Sequence, residues 1–151
     1  MVAITLQNIT KDNWQQAIKL KVAESQKNFV APNWYSIIEV LFNSDDFESR
    51  GIYADDVMVG YVMYGLDDEK SEPEYWIVRL MIGEDHQKKG YGRQALPLIL
   101  AEMQARYQCD AVFLSFEPEN AVARDFYLSE GFVDTGRVEY GETVFRYDLK
   151  S

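Results

Sequence analysis

The residues best equipped for chemistry in this 151-residue chain fall in one stretch, Tyr75 to Leu98. Within it, Gln87-Lys88-Lys89-Gly90-Tyr91-Gly92-Arg93 follows an apolar run and precedes an apolar-periodic one. That order reads as strand, glycine-containing loop, helix. Such a junction aims several backbone N–H groups at one spot, at the positive end of a helix dipole, and so suits a phosphate. Gly90 and Gly92 carry no Cβ and let an anion approach the main chain. Lys88, Lys89 and Arg93 add positive charge beside it. Two other phosphate loops do not fit. The dinucleotide fingerprint tolerates Ala95 at its third position but lacks the acidic residue that should follow. The nucleoside-triphosphate loop lacks its Gly-Lys-Ser/Thr.

A second constellation follows the run Ala111 to Phe116. Its spacing is Asn120-x-x-Ala123-x-x-Phe126-Tyr127-x-x-x-Gly131-Phe132. On a helix, Asn120, Ala123 and Tyr127 share one face at steps of three and four. Small Ala123 leaves room between two polar groups, so the face can border an elongated ligand with a phenol at its reactive end. The competing reading is a core helix whose Tyr127 hydroxyl is satisfied within the protein.

The elements that must carry these residues are legible from periodicity. Val2 to Ile9 predicts a first strand. Helices follow from Trp14 to Val22 and, after Pro32-Asn33, over Trp34, Ile37, Ile38, Leu41 and Phe42. Gly51–Ala54 and Val57–Leu66 predict paired strands around an Asp55-Asp56 turn. Tyr75–Ile82 is the most apolar strand and central. Strict alternation puts Trp76, Val78, Leu80 and Ile82 on one face and Ile77, Arg79 and Met81 on the other. Arg79 in such a strand predicts a carboxylate partner. Gly92–Tyr107 and Glu119–Glu130 predict helices flanking the strand Ala111–Phe116. The first is expected to kink at Pro97, and the second ends at Gly131. Phe132–Tyr140 and Thr143–Leu149 close the chain as a hairpin through Gly141-Glu142. Alternating strand and helix in the centre gives an α/β class with a mixed sheet, in a single domain over residues 1–151.

Composition sets the bounds. At 47% apolar residues the chain is globular. No run is long enough to span a bilayer, and the N-terminus shows no export signal. The single Cys109 cannot form an internal disulfide, which fits a reducing cytoplasm. The net charge of −10 repels nucleic acid, and it reads either as plain solubility or as attraction for a cationic substrate. Against it the Lys88-Lys89/Arg93 cluster stands out as local.

Taken together and in order, the two motifs resemble the GCN5-related N-acetyltransferases. The phosphate loop of that family, Gln/Arg-x-x-Gly-x-Gly/Ala, is matched by Gln87, Gly90 and Gly92. Its later helix is matched by Asn120 to Phe132. The likeness covers essentially the whole chain. Within the family the chain looks closest to bacterial spermine/spermidine acetyltransferases, through Gly60 to Leu66, Tyr75 to Ile82 and the Gly141-Glu142 hairpin.

The resemblance implies a mixed, mostly antiparallel sheet with helices on both faces. Two parallel strands, Tyr75–Ile82 and Ala111–Phe116, would splay apart around acetyl-coenzyme A. It implies cofactor contacts from Leu80, Ile82, Gln87, Lys88, Lys89, Gly90, Tyr91, Gly92, Arg93, Asn120 and Tyr127. The Leu80 N–H would be the oxyanion donor and Tyr127 the general acid. No metal is called for. A small-molecule amine, a polyamine, is the implied acceptor, held by Glu24, Trp34 and Tyr35 in a region that also carries Glu39. Trp34 and Tyr35 read equally well as core. Homodimers are common in the family.

One position departs from the pattern. Some polyamine acetyltransferases carry an acid where this chain has Val78, so the base lies elsewhere, with Glu24, Glu84, Asp85 and Glu117 as candidates. His86, the only histidine, reads as a loop-edge residue and Cys109 as core. Other acceptors remain open: a protein N-terminus, a lysine or an antibiotic. So does a non-catalytic acyl-coenzyme A sensor.

Overall fold

A computed structural model describes residues 2–23 and 32–149. The strands are β1 (Ile4–Asn8), β2 (Phe47–Ala54), β3 (Val57–Asp67), β4 (Glu74–Ile82), β5 (Ala111–Phe116), β6 (Val133–Glu139) and β7 (Glu142–Asp148). The helices are α1 (Trp14–Lys19), α2 (Asn33–Phe42), α3 (Tyr91–Tyr107) and α4 (Ala121–Ser129). The strands form one sheet in the order β1-β2-β3-β4-β5-β7-β6, and only β4 and β5 run parallel.

Helices cover both faces. Ala95, Leu96, Ile99, Leu100 and Met103 recur on one side of α3 and pack over Ile52, Val62, Ile77 and Val112. Burying each of the large ones is worth about 1.5–3 kcal/mol. On the other face Ala17 of α1 and Ile37 and Val40 of α2 meet Tyr61, Met63 and Met81. Pro97 is exposed, and α3 continues through it to Tyr107.

Several boundaries differ from the sequence reading, and three of the differences have a clear physical reason. β2 begins at Phe47 rather than Gly51. Its polar start is satisfied across the sheet: Ser49 Oγ and Tyr61 Oη lie 2.5 Å apart, and Arg50 meets Glu48 and Glu102. α1 ends at Lys19, because Leu20 turns extended (ψ 131°), so Val22 lies outside the helix. The closing turn is Tyr140-Gly141, with φ of 52° and 80°. That is the two-residue turn that matches strand twist, and it makes Glu142 the first residue of β7.

The most consequential difference is in β4. Met63 pairs with Arg79 and Tyr64 with Ile77, so Val78 is an extra residue, a β-bulge. The bulge breaks strict alternation. Ile77 packs with Leu80 and Ile82 under α3, while Met81 packs on the α1/α2 face. The expectation that Ile77 shares a face with Arg79 and Met81 is therefore wrong.

Candidate active site

Past the bulge, β4 parts from β5. The two strands are in register only at Trp76↔Phe113, so among the described residues the C-terminal half of β4 has no strand partner on that side. The hydrogen bonding there follows from one contact. Gly83 N–H donates to the Val59 carbonyl at 2.8 Å, on the β3 side. Successive backbone groups of an extended strand alternate sides, so Met81 faces β3 while Leu80 and Ile82 face the gap. The Ile82 carbonyl accepts a hydrogen bond from Gln87 Nε2 at 2.8 Å, which ties the loop to the gap.

The loop itself is shaped by two left-handed residues, Lys88 (φ 66°) and Gly90 (φ 80°). Gly90 is the N-cap of α3 and supplies no side-chain cap. The N–H groups of Tyr91, Gly92 and Arg93 thus start the helix without intrahelical acceptors. They stand at the rim of a cleft of about 570 Å³. A Cβ on Gly92 would stand 3.7 Å from both Ile82 Cγ1 and Phe126 Cζ.

The cleft is lined by Leu80, Ile82, Gln87, Lys88, Gly90, Tyr91, Gly92 and Arg93 on one side and by Asn120, Ala123, Phe126 and Tyr127 on the other. His86 also borders it. Lys89 is exposed and lies outside the lining. Arg93 borders the cleft, but its guanidinium reaches Glu130, the C-cap of α4, at 3.5 Å.

Asn120 is the N-cap of α4: its Oδ1 accepts from the Ala123 N–H at 3.1 Å. Gly131, at φ 101°, closes the other end, with Phe132 N–H donating to the Tyr127 carbonyl at 3.0 Å. Tyr127 packs among Phe116, Phe126 and Phe132, and burial pushes its phenol well above the usual tyrosine range. No hydrogen bond among the described residues reaches its hydroxyl, and none of their buried side-chain oxygens lacks a partner. The hydroxyl therefore opens onto the cavity, unlike that of a satisfied core tyrosine.

A second cavity of about 280 Å³ lies on the far side. It shares Leu80, Asn120, Ala123 and Tyr127 with the first. Its other walls include Tyr35 and Glu39 of α2, Arg79 of β4, Ser115 of β5 and Glu142 of β7. Trp34 is 51% exposed and lines neither cavity. Glu24 lies outside the described residues. Glu84 and Asp85, exposed in a short 3₁₀ turn after β4, line neither cavity, nor does Glu117. Among the described residues, the carboxylates that do reach the second cavity are Glu39 and Glu142.

Arg79 is only 8% exposed and has no carboxylate partner among the described residues, contrary to expectation. Its Nε donates to Asn33 Oδ1 at 3.0 Å. Desolvation lowers the guanidinium to about 10, so it stays charged near neutral pH. Asn33 is itself buried and donates onward to the Ala17 carbonyl at 2.8 Å, joining α1, α2 and β4. Asn33→Ala is expected to cost about 3 kcal/mol, since it strands a buried charge and a carbonyl together. Urea unfolding checks this, and a change under 1 kcal/mol would refute the role given to Asn33.

Sequence reasoning missed Ser115 and Glu142 as lining of the second cavity and Asn33 as the partner of Arg79 behind it. Asn33 looked like a helix start. Glu142 was assigned to the turn, and its contact with Ser115 depends on strand register, which leaves no local signal.

A model of the acetyltransferase (GNAT) family matches residues 7–132. The chain belongs to that family. It is 26% identical over 153 residues to a spermine/spermidine N(1)-acetyltransferase of Bacillus subtilis, spanning 98% of this chain and 100% of that one. Solved GNAT-type structures share the fold. An N-acetyltransferase of Thermoplasma acidophilum, solved with coenzyme A, superposes at TM-score 0.73 and 13% identity, covering 97% of this chain and 99% of that chain. The ribosomal-protein-S18-alanine N-acetyltransferase of Escherichia coli gives 0.72 at 16% identity, covering 99% and 96%. At such identities the fold is common ground, and the acceptor is not decided by it.

Proposed function

We propose that this acetyltransferase moves the acetyl group of acetyl-coenzyme A to a primary amine of a polyamine by direct attack. One observation carries the reading: two cavities meet at Leu80, Asn120, Ala123 and Tyr127, one entered past a phosphate-type loop and the other carrying carboxylates. The first suits the donor. Its free helix N-terminus, Gly90 cradle and Lys88 fit a pyrophosphate, and the edge of β4 at Leu80 and Ile82, which has no strand partner among the described residues, fits an extended amide-bearing arm. When bound, acetyl-coenzyme A supplies an activated acyl group.

The residues at the junction then have distinct tasks. The Leu80 N–H donates to the carbonyl oxygen as it gains charge. Tyr127 holds a proton at Oη for the departing sulfur. On the acceptor side, Glu39 and Glu142 attract ammonium groups. Arg79, charged and without a carboxylate partner among the described residues, disfavours an ammonium beside it and favours a neutral amine there. A polyamine meets both demands, with one nitrogen neutral and the rest charged. The net charge of −10 and the named activity of the Bacillus subtilis relative support that choice.

An amine panel with acetyl-coenzyme A tests it. Spermidine and spermine should give higher kcat/KM than monoamines, free lysine or a basic peptide. KM for the polyamine should rise with salt, because screening weakens long-range attraction. A basic peptide or a monoamine as the best acceptor would overturn the polyamine reading. Coenzyme A binding with no amine acetylated would mean a sensor.

A further inference from the structure

We propose that Glu142 is the general base that takes the proton of the acceptor ammonium, positioned by Ser115; this rests on the acetyl-transfer reading above. An alkylammonium has a pKa of about 10.4 and cannot attack while protonated. Val78, on the bulge, offers no acceptor for that proton. Among the described residues two carboxylates reach the acceptor cavity, and they are held differently. Glu142 Oε1 accepts a hydrogen bond from Ser115 Oγ at 2.7 Å. Both residues sit on strands locked side by side, with Ser115↔Val144 and Phe116↔Thr143 in register. The Glu142 carboxylate is thus fixed at the cavity wall with its second oxygen available. Glu39 stands on α2, and no hydrogen bond among the described residues holds its carboxylate. A fixed carboxylate suits proton transfer at one nitrogen, whereas a mobile one suits a distant ammonium.

The charged and titratable groups facing the same cavity are Arg79 from β4, Tyr35 and Glu39 from α2 and Tyr127 from α4. Glu139, opposite Glu142 in the β6–β7 register, is already engaged by Arg137 and Lys70. Arg79 is the cation among those facing groups, and it pushes the ammonium toward losing its proton. The step balances. Glu142 takes one proton, and the electron pair of that N–H bond becomes the pair that forms the N–C bond. The C–S bond breaks and sulfur receives the Tyr127 proton. The second proton shed by the nitrogen restores Tyr127, and Glu142 releases its own to solvent.

The test uses the full chain with acetyl-coenzyme A and spermidine between pH 6 and 10. Glu142→Gln keeps an acceptor for Ser115 and should lower kcat/KM by about 10²-fold at pH 7. The deficit should shrink to a few-fold near pH 10, where the amine sheds its proton unaided. Ser115→Ala should show a smaller deficit with the same narrowing. Calorimetric binding of spermidine without acetyl-coenzyme A should weaken more in Glu39→Gln than in Glu142→Gln. A deficit equal at pH 7 and pH 10, in Glu142→Gln and Ser115→Ala alike, overturns the assignment, as does full activity of Glu142→Gln. Wild-type protein that acetylates no amine overturns the acetyl-transfer reading as well.

Discussion

Replacing Tyr127 by Phe is expected to lower turnover about 100-fold, the lower end of the range for general acid catalysis. The change removes one oxygen and leaves the ring among Phe116, Phe126 and Phe132, where its packing is set. The hydroxyl makes no bond within the described residues, so its loss leaves nothing stranded. Stability and acetyl-coenzyme A affinity should change little, and the deficit should appear in kcat. The phenol is raised by burial, so it keeps its proton through the range in which the amine loses one. The wild-type rate should therefore climb with pH up to about 10 with no decline caused by Tyr127. Wild-type turnover in a folded Tyr127→Phe protein would remove the residue from the reaction and return it to the core.

Gly90→Val is expected to weaken coenzyme A binding by at least tenfold, or about 1.4 kcal/mol. Space is not the reason. A Cβ there would meet only Gln94 Nε2, at 3.9 Å. The backbone is the reason: φ of 80° is an outlier for a β-branched residue, so valine would redirect the N–H groups of the first helical turn. Gly92→Ala makes the informative contrast. Its Cβ meets ordinary contacts and its helical position favours alanine by about 0.5–1 kcal/mol. The melting temperature should rise while coenzyme A affinity falls, because the new methyl stands at the rim of the cleft. Calorimetry with coenzyme A and thermal unfolding measure the two quantities separately. Unchanged affinity in folded Gly90→Val protein would sink the phosphate role of the loop.

What could be read from the sequence was what is local. The Gln87–Gly92 loop and the Asn120–Phe132 helix announce themselves through glycine, cap and face chemistry within a dozen residues. Both border the cleft, apart from Lys89, which is exposed and outside its lining. The acceptor side was less legible. Tyr35 was legible as a candidate because it sits on a helix whose apolar spacing is plain, but the same helix leaves Trp34 outside both cavities. Arg79 looked like half of an ion pair, since burial of a charge usually demands one. Its actual partner is the neutral amide of Asn33, 46 residues away. Glu142 depends on whether a turn falls at 140–141 or 141–142. A one-residue difference there sends every following side chain to the opposite face.

The bulge at Val78 acts as a change of phase within one strand. Upstream, β4 is indexed to the hydrophobic core by Tyr75 and Ile77; downstream, it is indexed by Leu80 and Ile82. Deleting Val78 would make Tyr64↔Ile77 and Met63↔Arg79 neighbours in an unbroken ladder, so Leu80 and Ile82 would keep their sides. A chain shortened by Val78 alone would retain every glycine, lysine and tyrosine of the motifs and lose the local bend and added twist that a bulge gives its strand. Whether β4 leans away from β5 is thus a matter of one residue's surplus in the ladder as well as of residue types.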